Sequence, residues 1–362
     1  MDKNGQRRIW VKLVILLIIA ALIKVFSLFG GWVEAGYSTG VYPVIATVMR
    51  AVTGWLPISI GDLLYACVFI WLIIKLIKII KAIVGRKATW QGFGNGLGKA
   101  GIRILYIYIA FNILWGLNYN RYGISYQLRL KQQHYTTDEL KHITALLIGK
   151  VNEKRKALGD STFTYPANKQ VFRLAAQAYD SAAVEFPFLQ YRCYSVKSSL
   201  YGILGNYFGF LGYYNPFSGE AQVNTTPPAF VLPYTACHEI AHQVGYGSES
   251  EANFVGYLAA KASNNNILQY SAYADLFSYA NGELFVRDSV AARSNFRALD
   301  TLVKQDYRRY RKFILSYKNP IEPIITLFYG QYLKANNQPK GIETYDEVTA
   351  WLIAYEKKYS KI

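Results

Sequence analysis

The 362-residue chain is poor in several residue types that often carry chemistry: it has three cysteines, four histidines and two methionines. Three cysteines are too few for a disulfide framework. Cys67 lies inside an apolar run. Cys193 and Cys237 read either as a pair in an exported domain or as two buried free thiols. Acidic residues are scarce early on: residues 1–130 carry 15 Lys/Arg against 3 Asp/Glu, whereas the remaining 232 carry 25 against 20. Most of the net charge of +17 therefore sits beside apolar runs, where positive flanks set membrane orientation. No basic stripe interleaved with aromatics runs through the larger part, which argues against nucleic acid as a partner. Internal repeats are lacking, which excludes a solenoid or propeller, and so are low-complexity segments.

Long apolar runs are confined to the first third. The first, about Trp10–Phe29, follows Lys3, Arg7, Arg8 and Lys12. It lacks a small-residue cleavage site and reads as an uncleaved anchor. The second, about Ile58–Ile80, ends in Lys75, Lys78, Lys81, Arg86 and Lys87. The third, about Ile102–Tyr119, has Arg103 at one end and Trp115 and Tyr119 at the other, as in an interfacial aromatic belt. Spanning takes about 20 apolar residues, so three transmembrane helices are expected within a membrane anchor over 1–122. The positive clusters put the N-terminus in the cytoplasm and the part after about Asn120 outside it. Asp62, at the start of the second run, reads as an interface or capping residue. Three spans are few for a transporter.

The remainder, 123–362, reads as one α-rich α+β domain. Thr136-Thr137-Asp138-Glu139 is a capping-box pattern opening a helix to about Leu158, and a second helix covers about Lys169–Glu185. Tyr191–Lys197 and Ala221–Asn224 read as short strands separated by a Gly/Tyr/Asn/Pro-rich stretch. After Pro233 the pattern is helical almost to the end.

Two of the four histidines form His238-Glu239-Ile240-Ala241-His242. Residues i and i+4 share a helix face, so both imidazoles can reach one metal ion. Glu239, beside the first ligand, is placed to act as general base and proton shuttle. Apolar flanks (Ala236, Cys237, Val244) suit a buried active helix, and Gly245 and Gly247 end it. A following helix opens with Glu249 and Glu251, either of which can supply a third ligand. The two point to nearly opposite faces. Ser248-x-x-Glu251 fits a capping box, which leaves Glu249 for the metal, with Glu251 as the alternative. Glu249 shares its face with Asn253, Gly256 and Ala260, small enough for close helix approach. His134 and His142 read as surface or interhelix residues.

His238–His242 with Gln243 and Gly245, then Glu249-Ser250-Glu251-Ala252-Asn253-Phe254, resembles the zincin superfamily. Together with Gly212–Phe217, Glu220–Asn224 and three N-terminal spans carrying Ser59-Ile60-Gly61-Asp62, the chain is more closely similar to a bacterial membrane family, domain of unknown function 3810. The resemblance implies a zincin-like metallopeptidase domain holding Zn2+. In gluzincin-type relatives the third ligand is a glutamate four residues before an Asp or Asn that braces the first histidine. Glu249 and Asn253 fit, although the usual brace is Asp. In zincin relatives an edge strand near the active helix pairs with extended substrate; Ala221–Asn224 is expected there, or else in a structural hairpin. Tyr213 and Tyr214 are expected either to stabilise an oxyanion or to pack. The expected function is that of a zinc peptidase on the outer face of the cytoplasmic membrane, acting on peptides or proteins. The alternative is a non-catalytic zinc-containing envelope protein that binds peptide or cell-wall polymer.

Overall fold

The computed structural model describes residues 3–86, 89–130, 134–339 and 347–362; Lys87 of the second basic cluster lies outside them. The first third forms α1 (Lys3–Ser27), α2 (Gly30–Trp32), a wide-turned π-helical stretch at Val33–Val41, α3 (Tyr42–Thr53), α4 (Ile60–Val84) and α5 (Trp90–Leu114). Within these, Arg7–Ser27, Ile60–Val84 and Gly92–Leu114 are long and apolar enough to cross a membrane. Their side chains stay largely exposed, which apolar helices do only when something other than water surrounds them. The third span begins ten residues before the expected Ile102. Glycines 92, 94, 96, 98 and 101 look like a loop in sequence but form its first turns. Small residues let helices approach closely in lipid, and a Cβ at Gly98 would lie 3.1 Å from Ile9 on α1. The helix stops at Leu114 rather than Tyr119, because a 3-10 turn over Gly116–Asn120 takes the chain toward the helix that carries His242.

The remaining elements are α6 (Gly123–Gln127), α7 (Thr137–Ala157), α8 (Asn168–Glu185), β1 (Val196–Ser198), α9 (Gly202–Phe208), β2 (Gly212–Asn215), β3 (Glu220–Val223), α10 (Leu232–Gln243), α11 (Glu249–Ala262), α12 (Asn266–Arg287), α13 (Ser289–Ala298), α14 (Thr301–Tyr317), α15 (Glu322–Ala335) and α16 (Glu347–Tyr359). The capping box opens α7 as expected: Glu139 N–H donates to Thr136 Oγ1 at 3.2 Å, and Thr136 N–H to Glu139 Oε2 at 2.7 Å. The fold is thus helix-rich with few strands. Its core is built from the buried faces of α7, α8 and α12 around α10 and α11, with Leu140, Leu147, Tyr179, Phe254 and Leu276 among the side chains fully enclosed. Gly256 lets α11 close on α10, since a Cβ there would lie 3.1 Å from His238 N.

The sheet order is β1-β3-β2, with β1 parallel and β2 antiparallel to β3. The expectation that Ala221–Asn224 forms an edge strand is therefore wrong: β3 is central and hydrogen-bonded on both sides. The outer strand beside α10 is β2, in the Gly/Tyr/Asn/Pro-rich stretch that separates the two expected strands. Cys193 is exposed, Cys237 is buried and neither is paired, so the disulfide alternative also falls.

Segments on both sides of residue 122 pack together. The C-terminal carbonyls of α10 lack helical partners, and residues from the first third supply several of them. Tyr42 OH and Arg50 Nη1 donate to Gln243 O at 2.9 and 3.0 Å, and Trp115 Nε1 donates to His242 O at 2.9 Å. Arg121 Nη1 donates to Gly245 O at 3.0 Å just beyond the helix. Ile60 and Gly61 N–H at the head of α4 donate to buried Glu220, while Ser59 caps α4 by accepting from Asp62 N at 3.0 Å. α3 and the end of α5 are thereby fixed to the end of α10 that carries His242, and the head of α4 to β3.

Candidate metal centre

Pro233 in the first turn and Gly245, at φ +97°, bound α10 as the sequence implies. His238 and His242 lie one turn apart with their Nε2 atoms 3.1 Å from each other. Glu249 Oε2, from the first turn of α11, lies 3.2 Å from His238 Nε2 and 3.5 Å from His242 Nε2. Three ligands bound at about 2.05 Å around a tetrahedral ion stand about 3.3 Å apart, so the three observed separations bracket that spacing. None of the donors is a thiolate.

The backs of both rings are occupied. His238 Nδ1 is 2.7 Å from Asn253 Oδ1, and His242 Nδ1 is 2.7 Å from Tyr246 O. Those partners accept a proton from Nδ1, which fixes the tautomer and leaves both Nε2 lone pairs facing Glu249. Burial alone pushes the Glu249 carboxyl up, yet the two imidazoles outweigh it and hold it well below the usual carboxylate range. Burial opposes charge on His242, but Glu249 and Glu239 raise its pKa to about 9.

Glu251, the alternative third ligand, is turned away. It accepts from Ile124 N at 2.8 Å, close to Arg121, which pairs with Glu34 at 2.7 Å. The Ser248–Glu251 capping box does not form, because Ser248 makes no side-chain bond to the helix and its hydroxyl lies 3.0 Å from that of Ser250.

Glu239 is 4% exposed, and its Oε2 is buried without a hydrogen-bond partner. Burial pushes its pKa up to about 7, against the pull of the two histidines. An orphaned carboxylate oxygen is costly unless a ligand completes it. Strand β2 crosses directly over this group: a Cβ on Gly212 would fall 2.5 Å from Glu239 Oε1, so any side chain there displaces the carboxylate.

Tyr213 and Tyr214 do not face the cluster. The Tyr213 hydroxyl donates to Asp62, and the Tyr214 ring packs 5.2 Å from that of Trp115. Asp62 is an interface residue, as expected, and also accepts from Leu200 N at 2.7 Å. His134 is exposed, and His142 lies on the surface 3.6 Å from Glu356. Sequence reasoning missed Tyr329 on α15, whose hydroxyl donates to Glu249 Oε1 at 2.7 Å, and Gln338, whose Oε1 accepts from Glu249 N at 3.1 Å. Among 31 tyrosines, nothing local marks Tyr329.

No curated protein and no solved structure matches the chain. The model of one family, described as a protein of unknown function (DUF3810), matches residues 37–353, which takes in the candidate centre and two of the three apolar helices. The chain belongs to the DUF3810 family.

Proposed function

We propose that this protein is a membrane-anchored zinc metallopeptidase of the zincin type, with its catalytic part on the exterior (periplasmic) side of a bacterial cytoplasmic membrane. The observation that carries the reading is the convergence of His238 Nε2, His242 Nε2 and Glu249 Oε2 within 4.8 Å of one another on two buried helices. The residues fit Zn2+ in donor type, spacing and outer-shell bracing. Bound zinc supplies a Lewis acid that acidifies water and polarises a carbonyl.

The protein's own groups do the rest. Asn253 and Tyr246 hold the imidazoles in the ligating tautomer. Glu239, raised toward neutrality, takes the proton of the attacking water and passes it to the leaving amine. β2 pairs with β3 on one side only, so its other edge offers backbone groups to an extended substrate, with Gly212 bringing that edge against Glu239. The basic clusters before α1 and after α4 support an exterior catalytic part. A non-catalytic structural zinc site typically has four protein ligands; a three-donor set beside a buried carboxylate favours the enzyme.

The test is peptide-library cleavage by the full chain in nanodiscs, before and after chelation and zinc re-addition. Cleavage abolished by the chelator and restored by zinc is expected. Zinc-loaded protein that cleaves nothing, or cleavage that survives chelation, overturns the reading.

A further inference from the structure

No charged residue occurs from Ser198 to Gly219, and none from Pro323 to Leu333. The fold brings these stretches together: α15 and the end of α14 pack on α9. The Tyr207 ring meets Tyr317 edge-on at 5.1 Å, and Asn319 Nδ2 donates to Tyr207 O at 2.7 Å. The surface so formed exposes Ile203 (63%), Leu204 (49%), Leu315 (55%), Ile324 (54%), Leu327 (63%) and Phe328 (69%). Residues 324, 327 and 328 share one helical face. Soluble surfaces rarely present contiguous apolar area of this kind without a partner.

Two observations identify the partner. The first is depth. α9 is tied to the first turn of α4, because Asp62 accepts from Leu200 N and its carbonyl accepts from Tyr201 OH, each at 2.7 Å. α4 has 25 residues, or about 37 Å at 1.5 Å per residue, against a hydrocarbon core of about 30 Å. Its first turn therefore belongs in the headgroup layer, and α9 sits at that level. The second is charge. The stretch of α14 just before the apolar surface carries the exposed residues Arg308, Arg309, Arg311 and Lys312. Basic residues flanking an apolar face are the pattern of elements that lie in the interface of anionic membranes.

We propose that α9, the end of α14 and α15 rest in the headgroup–acyl boundary of the bilayer crossed by α1, α4 and α5. α15 turns its aliphatic face to lipid and its Tyr329 to Glu249, so the candidate centre opens at the membrane surface. Taken with the peptidase reading, on which this last step rests, the substrates are polypeptide segments held close to the membrane.

The test uses the full chain with Cys67→Ser and Cys193→Ser, leaving buried Cys237. Nitroxides are placed at Ile203→Cys and Phe328→Cys, with Ser161→Cys in the polar turn after α7 as comparison. In nanodiscs containing anionic lipid, collision with oxygen and with a water-soluble nickel chelate is read by electron paramagnetic resonance. Labels at 203 and 328 should meet oxygen several-fold more, and the chelate several-fold less, than the label at 161. Chelate access equal to that at 161 overturns the proposal. So does shielding from both reagents with spin–spin broadening between chains, which would assign the surface to a second copy. The readout needs no hydrolysis, so its failure is separable from failure of the peptidase reading.

Discussion

Replacing Gly212 by alanine separates the proposed base from the metal ligands. The added Cβ would lie 2.5 Å from Glu239 Oε1 and 2.9 Å from Gln222 O, where ordinary contacts begin near 3.4 Å. The backbone oxygen belongs to central strand β3 and yields little, so the Glu239 carboxylate must move by close to 1 Å. A misplacement of that size costs on the order of 100-fold in rate, and overpacking costs about 1–3 kcal/mol of stability. None of the three candidate ligand atoms is touched. Purified Gly212→Ala protein should therefore bind metal as the parent does while peptide cleavage falls on the order of 100-fold, with the loss in kcat rather than in metal occupancy. Parental activity would refute the placement of Glu239 under β2, and loss of metal would refute its independence from the ligand set.

Four further outcomes follow from the same geometry. Asn253→Ala removes the acceptor 2.7 Å from His238 Nδ1 and should weaken metal affinity by about 10–100-fold in a competition titration. Asp306→Ala leaves Arg155 buried without its partner at 3.0 Å and should cost about 3–5 kcal/mol in denaturant unfolding. Burial lowers the Lys261 pKa to about 8 in the fold, where its ammonium lies over the Tyr355 ring. The folded group releases its proton near pH 8 and the unfolded one near 10.5, so stability should rise between those values. Lys261→Met should abolish that rise and stabilise the protein at pH 7 by about 1–2 kcal/mol, allowing for partial exposure. A reporter active only outside the cytoplasm, fused after Ile362, should be active; activity of a cytoplasm-only reporter there would reverse the proposed orientation.

Much of the candidate centre is local and hence legible in the sequence. His238 and His242 share a face by spacing alone, and Thr136 with Glu139 marks the start of α7. The choice between Glu249 and Glu251 followed from face geometry, but the supporting reason did not hold. Glu251 is drawn off by Ile124 N and Arg121 from 127 and 130 positions earlier in the chain, not by Ser248. β2 was hidden because four residues, Gly-Tyr-Tyr-Asn, carry too little alternation, and its glycine exists for Glu239 rather than for a turn. The glycines of α5 mislead in the same way: Gly98 and Gly101 lie against Ile9 and Leu13 of α1 rather than in a turn. Tyr329 reaches Glu249 across 80 positions of sequence, and the caps on the end of α10 come from segments that read as membrane anchor. These pairings arise only from the folded chain.

The most direct test of the central claim is the rate of peptide cleavage by metal-loaded Glu239→Gln protein relative to the parent. Amide for carboxylate preserves shape and leaves His238, His242 and Glu249 in place, so metal content should be unchanged while hydrolysis disappears. A Glu239→Gln protein that binds metal and cleaves at the parental rate would contradict the account.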